Sequence, residues 1–210
     1  ALQDLNYKLA KIEQQKLEAE LKTLKGQLNP HFLFNSLNNI YSLALIKSDL
    51  VPGLILKLSD LMRHIIYESK ENYIFLNKEI DFVDNFVTLQ KIRTPEKVVI
   101  EYKIKGEIPS AKIAPLLFEP FIDNAFKHGI PGVGKPDFIH INFDFTNPGF
   151  ILFRLENNYE GQENWNRKNS GIGIKNVKQR LKYLYKKNEY KLTIVRENQL
   201  FSVSLQLKLK

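Results

Sequence analysis

Two short segments, one near the start of the chain and one in its middle, contain the side chains best suited to chemistry. Residues 29–38 read Asn-Pro-His-Phe-Leu-Phe-Asn-Ser-Leu-Asn and place His31 among amides and aromatic rings. Residues 123–129 read Asp-Asn-Ala-Phe-Lys-His-Gly and combine a carboxylate, an amide and cations. A largely neutral imidazole can attack a phosphoryl group, and amide oxygens and lysines suit Mg²⁺ and phosphate. Together the segments predict a phosphate-accepting histidine and the nucleotide site that serves it.

His31 follows Pro30, whose ring and missing N–H interrupt a helix or restart it with Asn29 as the cap. Asn35 lies one helical turn after His31 and is the expected partner that orients the imidazole. An isolated helical histidine is more often a surface or capping residue, so only this setting favours a nucleophile. The remaining histidines have better structural explanations: His64, His128 and His140.

In the second segment, Asn124 and Lys127 are three residues apart and therefore share one face of a helix. Asn124 offers a carbonyl oxygen to Mg²⁺, and Lys127 offers a positive charge to a phosphate. His128-Gly129 marks the end of the helix. An asparagine and a lysine on a helix are ordinary surface residues when taken alone, so this prediction depends on the other segments.

A glycine pair, Gly171 and Gly173, precedes a helix predicted to begin at Ile174. Backbone N–H groups and the positive end of the helix dipole suit phosphate binding there, with Lys175 or Arg180 nearby. The alternative is a plain loop with a helix cap, because Gly-x-Gly occurs in many turns. The preceding residues 160–169 are polar, which is typical of a loop that closes over a ligand.

The elements that position these residues follow from the hydrophobic pattern. Residues 1–28 carry leucines at three-four spacing with one phase slip, which predicts a dimerising coiled coil; an amphipathic helix that packs within its own chain is the alternative. Residues 29–94 predict a helical hairpin and a third helix. Two hairpins form a four-helix bundle, so this region is the expected dimerisation and histidine region.

After Pro95 the pattern changes from helical to alternating, which predicts a third domain over residues 95–210. Strands alternate here with two helices, so the expected fold class is α+β, with a two-layer α/β sandwich in this domain. The predicted strands are residues 98–105, 138–145, 150–156, 190–196 and 200–208, and the predicted helices are residues 115–127 and 174–185.

The composition limits the remaining possibilities. A chain of 210 residues at 43% hydrophobic can bury one ordinary core, and the absence of cysteine excludes disulfides and thiolate-bound metals. A net charge of +8 suits a nucleotide, an acidic protein, an anionic membrane surface or nucleic acid. Recognition motifs for nucleic acid are missing, so we expect no such partner. The sequence begins inside a helical pattern, and we expect a longer chain with a membrane anchor upstream.

The motifs, in this order and over about residues 20–207, resemble the cytoplasmic part of LytS-type sensor histidine kinases. The resemblance implies an ATP-binding fold shared with gyrase, Hsp90 and MutL, with ATP and Mg²⁺ as cofactors. It implies that His31 accepts the phosphoryl group, that Asn124 binds Mg²⁺, and that Lys127 and His128 lie beside the phosphates. It also implies a homodimer and a response regulator whose aspartate receives the phosphoryl group.

The chain departs from the family pattern at functional positions. Asp123 replaces the usual glutamate before Asn124, and Phe32 stands where many histidine kinases have a carboxylate beside the reactive histidine. Asn157 occupies the place of the adenine-binding aspartate, so the expected acceptor is uncharged. Two alternatives to a kinase therefore stay open: a dimeric signalling scaffold with a degenerate nucleotide site, and a nucleic-acid-binding protein.

Overall fold

The structure is a computed structural model that describes residues 30–129, 137–158, 172–197 and 199–210, with the backbone alone at residues 30, 31 and 172. The chain divides into two compact units, Ala1–Tyr67 and Glu68–Lys210. The predicted coiled coil over residues 1–28 lies outside the described residues. Among the described helices, none combines the length and the apolar character needed to cross a lipid bilayer.

The described part of the first unit is a helical hairpin made of α1 (Pro30–Leu45) and α2 (Val51–Tyr67). The backbone N–H groups of Lys47 and Ser48 donate to carbonyls of the last turn of α1 and end the helix. Lys47 adopts a positive φ of 56° in this connection. Both helices agree with the helical hairpin predicted within residues 29–94.

One stripe of α2 is buried and carries four apolar residues at three-four spacing: Leu54, Leu58, Leu61 and Ile65. On α1, the side chains of Phe34, Leu37, Tyr41 and Leu45 are exposed instead. These four residues are also at three-four spacing, so they form a continuous apolar stripe, the α1 stripe.

The second unit begins with a 3₁₀ helix (Glu68–Lys70), β1 (Ile74–Phe75) and α3 (Leu76–Arg93). The domain boundary at residue 94 stays a prediction; the compact units divide after Tyr67, so α3, which was predicted within the region 29–94, lies in the second unit. The reason is that α3 contacts β1 and β3 (Lys112–Ile113) and the helix that carries residues 119–128. A two-stranded antiparallel sheet of β1 and β3, which was not predicted, anchors the start of α3.

The main sheet has five strands in the order β2-β4-β5-β7-β6, with β2 and β4 parallel and the other neighbours antiparallel. Alternating apolar and polar residues with many branched and aromatic side chains favour these strands. Their bounds are β2 (Val99–Lys105), β4 (Phe138–Asp144), β5 (Phe150–Asn158), β6 (Tyr190–Glu197) and β7 (Leu200–Lys208). The predicted strands are thus confirmed to within two residues at each end.

The core of the second unit joins this sheet to α4 (Glu119–His128). The rings of Phe118, Phe143 and Phe153 lie with centroids 4.9 to 5.0 Å apart, and Phe121 contacts Phe153 at 6.1 Å. The last helix, α5 (Ile172–Leu184), packs against α4. Helices combined with a mixed sheet confirm the predicted α+β fold class.

The start of α4 differs from the prediction. The pattern placed it at Pro115, whereas the helix begins at Glu119. The reason is local backbone geometry, because Leu116 has a φ of 56°, which no α-helix accommodates. Residues 115–118 therefore form a turn that leads into the helix.

Candidate functional site

Glu79 on α3 holds the turn that precedes α4. Its side chain is fully buried, and its two carboxylate oxygens accept hydrogen bonds from the backbone N–H groups of Leu116 and Leu117, at 3.0 and 3.1 Å. These bonds stabilise the positive φ of Leu116 and fix where α4 starts. Sequence analysis missed Glu79, although a charged residue between the apolar positions Leu76 and Ile80 of a helix was the available signal.

All four predicted residues of the middle segment lie on α4 or at its end. Asp123 and Asn124 are partly buried, and Lys127 and His128 are exposed. Lys127 Nζ forms an ion pair with Asp123 Oδ2 at 2.5 Å. The cation expected to serve a phosphate is thus engaged by a carboxylate one turn earlier.

The end of α4 lies against Asn157, the predicted replacement for the adenine-binding aspartate. A Cβ atom added to Gly129 would be 2.5 Å from Asn157 Nδ2 and 2.5 Å from the backbone oxygen of Ala125. Only a glycine permits this approach. Gly129 follows His128 in the chain and lies against Asn157, so the structure places these two predicted site residues close to each other.

The Asn157 side chain is 1% exposed on β5. Its Nδ2 donates to the backbone oxygen of Asn158 at 2.6 Å. Its Oδ1 is buried and has no hydrogen-bond partner among the described residues. A buried acceptor without a partner is costly, and in a native protein it commonly marks a place for a ligand or ordered water.

The start of α4 lies against α5. A Cβ atom added to Gly173 would be 3.1 Å from the Cβ of Pro120, so the first turns of the two helices are in close contact. Lys175 is exposed two residues further along α5. Gly171 and residues 160–169, the predicted phosphate loop and lid, lie outside the described residues. Helix α4 thus contacts Gly173 at its start and Asn157 at its end, with Asn124 in the turn between these contacts.

Arg180 is placed differently from the other predicted nucleotide residues. Its Nη2 donates to the backbone oxygens of Ser69 and Glu71, at 3.4 Å each. Burial lowers the pKa of the guanidinium group, and the nearby carboxylate of Glu79 acts in the opposite direction. The structure brings Arg180 to the segment that begins the second unit.

Charges are concentrated around α4. Burial and the negative charges of Asp123 and Glu79 raise the pKa of Glu119 to about 8, against a smaller opposing effect of Lys127. Burial also lowers the pKa of Arg93, at the end of α3, while the charge of Asp123 acts to raise it. Sequence analysis missed both Glu119 and Arg93 as neighbours of Asp123.

His128 titrates in the same environment. Burial and the charge of Lys127 lower the pKa of its imidazole, and the charge of Asp123 opposes this shift. A more neutral imidazole keeps a nitrogen available as a hydrogen-bond acceptor.

The first predicted segment lies in the other unit. The backbone of His31 is in the first turn of α1, and its side chain is outside the described residues. Asn35 follows one turn later and is partly buried. The predicted helical placement of both residues is confirmed, and their chemical roles stay predictions.

Comparison with known proteins agrees with these features. The model of the family described as "Histidine kinase" matches residues 19–98. "Sensor protein LytS" of Staphylococcus haemolyticus is 32% identical over 140 residues, which are 67% of this chain and 24% of that protein. "Sensor protein LytS" of Bacillus cereus is 27% identical over 181 residues, which are 81% of this chain and 31% of that protein. The chain therefore spans only about a quarter to a third of these curated relatives.

Among solved structures, the histidine kinase domain of the Erythrobacter litoralis EL346 blue-light activated histidine kinase is 15% identical. The match covers 93% of each chain with a TM-score of 0.49.

Proposed function

Because the chain belongs to the LytS-type sensor histidine kinases, we propose that it is the part of a sensor kinase that transfers the γ-phosphoryl group of ATP to His31. The phosphoryl group then passes to an aspartate of a response regulator. The single observation that most supports the nucleotide site is the buried, unpartnered Oδ1 of Asn157, which lies beside the end of α4.

The residues present fit an adenine nucleotide. Asn157 Nδ2 is occupied by the backbone oxygen of Asn158, so the amide presents its oxygen to a ligand. An acceptor at this place suits the exocyclic amino group of adenine. The hydrogen bond to the ligand satisfies an oxygen that is otherwise buried without a partner, and this gain compensates in part for the missing negative charge.

The residues also fit a hydrated Mg²⁺. This ion prefers six oxygen ligands, keeps several waters, and in nucleotide sites takes only one or two oxygens from the protein. Asn124 is partly buried on α4 and supplies one such oxygen. When bound, the ion neutralises charge on the phosphates. Asp123, restrained by its ion pair with Lys127, places a carboxylate next to Asn124 in the chain.

The acceptor reaction is a displacement at the γ-phosphorus. A ring nitrogen of neutral His31 forms the N–P bond as the bond from phosphorus to the β-γ bridging oxygen breaks, and ADP leaves. The phosphorylated ring is then positively charged, and it loses the proton on its other nitrogen to solvent or a base. Asn35, one turn along α1, is the proposed orienting group. Positioning and charge stabilisation dominate such reactions, which suits a site with few reactive side chains.

We also propose that the chain works as a homodimer through the hairpin. The α1 stripe leaves Phe34 at 67% and Tyr41 at 64% exposure, and Ile55 and Met62 add exposed apolar area on α2. A contiguous apolar surface of this kind is unusual on a monomer, and a second copy supplies a self-complementary partner. The relatives are longer, so we further propose that the chain is the cytoplasmic part of a sensor anchored in the membrane by an upstream segment.

Labelling with ATP tests the proposal. Incubation with γ-labelled ATP and Mg²⁺ should give an acid-labile, base-stable label on the parent chain. His31→Gln should remove the label while the affinity for a non-hydrolysable ATP analogue, measured by calorimetry, stays unchanged. His140→Gln is the matched control and should be labelled like the parent.

Two results would contradict the proposal. Retention of the acid-labile label by His31→Gln would place the acceptor elsewhere. A parent chain that neither binds the analogue nor becomes labelled would favour the dimeric scaffold. Asn124→Ala tests the proposed Mg²⁺ ligand by itself. In this variant, the affinity for the analogue should no longer depend on Mg²⁺.

A further inference from the structure

The C-terminal half of α5 is tied to the segment 68–73, which follows directly on the last residue of α2. Arg180 Nη2 donates to two carbonyl oxygens of this segment, those of Ser69 and Glu71. These residues are 111 and 109 positions away in the chain. One guanidinium group therefore restrains two points of this segment, one in its 3₁₀ helix and one in the residues that follow it.

A second contact ties the same segment to α5 independently of Arg180. The Tyr73 hydroxyl donates to the backbone oxygen of Leu184 at 2.5 Å. Its ring meets that of Tyr185 edge to face, with centroids 5.9 Å apart. The Tyr185 hydroxyl in turn accepts from the backbone N–H of Ala114 at 2.9 Å. The segment is thus joined to the C-terminal half of α5 by two separate sets of contacts, those of Arg180 and those of Tyr73.

The surroundings of Arg180 also argue against a phosphate as its partner. The guanidinium lies near the buried carboxylate of Glu79, which is itself used by two backbone N–H groups. Charge compensation of a fully buried carboxylate requires a cation that stays in place. Arg180 has Nη2 on two carbonyl oxygens and the charge of Glu79 nearby, so at least this nitrogen is used within the protein.

We propose that Arg180 is a positioning residue for phosphoryl transfer and not a ligand of the nucleotide. It holds the segment 68–73 on α5, the helix whose first turn carries Gly173. Because this segment follows directly on the last residue of α2, it is the covalent connection between the hairpin that contains His31 and the unit that contains the proposed nucleotide site. This inference rests on the proposed function. It requires that loss of the contact slows the transfer to His31 and leaves nucleotide affinity nearly unchanged.

Arg180→Lys is the most informative variant, since lysine keeps the positive charge beside Glu79 but loses the planar group that reaches two carbonyls. At saturating ATP and Mg²⁺, we expect the initial rate of His31 labelling to fall roughly tenfold to a hundredfold. The dissociation constant of a non-hydrolysable ATP analogue should change less than about twofold. Tyr73→Phe removes the hydroxyl bond to Leu184 but keeps the ring, so the labelling rate should fall by a smaller factor, again with the dissociation constant nearly unchanged.

Lys182→Ala is the matched control, because it removes an exposed cation two residues from Arg180 on the same helix. It should change neither quantity. Hydrogen exchange of the backbone amides in residues 68–75 should be faster in Arg180→Lys and Tyr73→Phe and unchanged in Lys182→Ala. This readout shows directly that the segment has been released.

A dissociation constant that rises in Arg180→Lys by the same factor as the rate falls would overturn the inference, since Arg180 would then contact the nucleotide. Labelling at the parent rate in both variants, despite faster exchange in residues 68–75, would also overturn it. If Arg180→Lys fails to fold, Tyr73→Phe alone decides by the same criteria. A parent chain that does not bind the analogue would instead remove the proposed function, which calorimetry detects separately.

Discussion

The hairpin and the second unit of this protein differ in which groups lack a suitable environment: exposed apolar side chains in the one, and mainly buried polar atoms in the other. In the described part of the chain, ten large apolar residues are exposed in the hairpin, and only six are exposed in the much longer second unit. The second unit buries most of its apolar residues and holds more of the buried polar atoms that have no hydrogen-bond partner among the described residues: Asn157 Oδ1 and both amide atoms of Gln90, against Ser36 Oγ in the hairpin. The hairpin requires more apolar contact, whereas the second unit requires hydrogen bonds.

This difference indicates what kind of partner each unit binds. Apolar area on a surface is covered by another surface, and a second copy of the hairpin provides one. An acceptor buried beside a helix end is satisfied by a small molecule or by water. Association and ligand binding should therefore be separable by substitutions in different units.

The largest expected effect is on association. Leu37→Glu combined with Tyr41→Glu places two carboxylates in the α1 stripe, and burial of each without a partner costs more than about 2 kcal/mol. The dimer should therefore weaken by a factor on the order of a thousand, as measured by analytical ultracentrifugation. The affinity of the second unit for an ATP analogue should be unaffected.

Ser42→Glu is the control for charge alone, because Ser42 is exposed on α1 outside the stripe. It should leave the dimer intact. Equal association of the parent and the double variant would show that the hairpin meets its need for apolar contact in another way.

A second comparison uses the same substitution in both units. Gly129→Ala introduces a methyl group 2.5 Å from Asn157 Nδ2 and should destabilise the second unit by about 1–3 kcal/mol through overpacking. It should also weaken analogue binding, because Asn157 is displaced. In Gly53→Ala, no described atom lies within 4 Å of the new methyl group, and α2 should gain up to about 1 kcal/mol. Thermal unfolding and calorimetry measure both, and equal effects would contradict the close approach at Gly129.

The contrast between the units also explains what the sequence could predict. Helices and strands with strong periodicity were predicted closely, as α5 and β7 show, since their apolar spacing is a local property. The start of α4 was predicted wrongly because Glu79, which lies on α3 and 37 positions before Leu116, holds Leu116 in a conformation that no local pattern reveals.

The candidate site shows the same division. The motif residues of α4 were found because their types and spacing are local. The ion pair of Lys127 with Asp123 could also have been predicted from the sequence, since the two residues lie one helical turn apart. The contacts of Arg180 with Ser69 and Glu71 were not, because they join distant parts of the chain, and the motif favoured a phosphate partner instead.

A smaller effect should distinguish a ligand site from a packing defect. Asn157→Leu removes the unpartnered Oδ1 and also the bond from Nδ2 to Asn158. Replacing a buried acceptor without a partner by an apolar group of similar shape is nearly neutral or stabilising, so the free energy of unfolding should change by less than about 1 kcal/mol. Analogue binding should nevertheless fall below detection.

Asn157→Asp tests the same atom in the other direction. The negative charge strengthens the hydrogen bond to the ligand, and ATP affinity should rise by about 1 kcal/mol. Loss of the Nδ2 bond to Asn158 and burial of a carboxylate without a partner should together lower the stability of the free protein by more than about 2 kcal/mol. Unchanged affinity in both variants at position 157 would place the nucleotide elsewhere.

The smallest effect concerns the charge of Glu119 at the start of α4. Its pKa is raised to about 8 by burial and by the charges of Asp123 and Glu79, so the folded protein binds a proton that the unfolded chain has already lost. The resulting stability is complete below the ordinary pKa of a glutamate and disappears as the pH rises through about 8. Between pH 5 and pH 9, the Tm of the parent should therefore fall further than that of Glu119→Gln, whose amide does not titrate, by about 2–4 °C for each kcal/mol of stability lost. Glu107→Gln, at an exposed carboxylate of the same unit, should follow the parent. Parallel profiles for the parent and Glu119→Gln would show that this carboxylate is already charged in the folded protein at neutral pH.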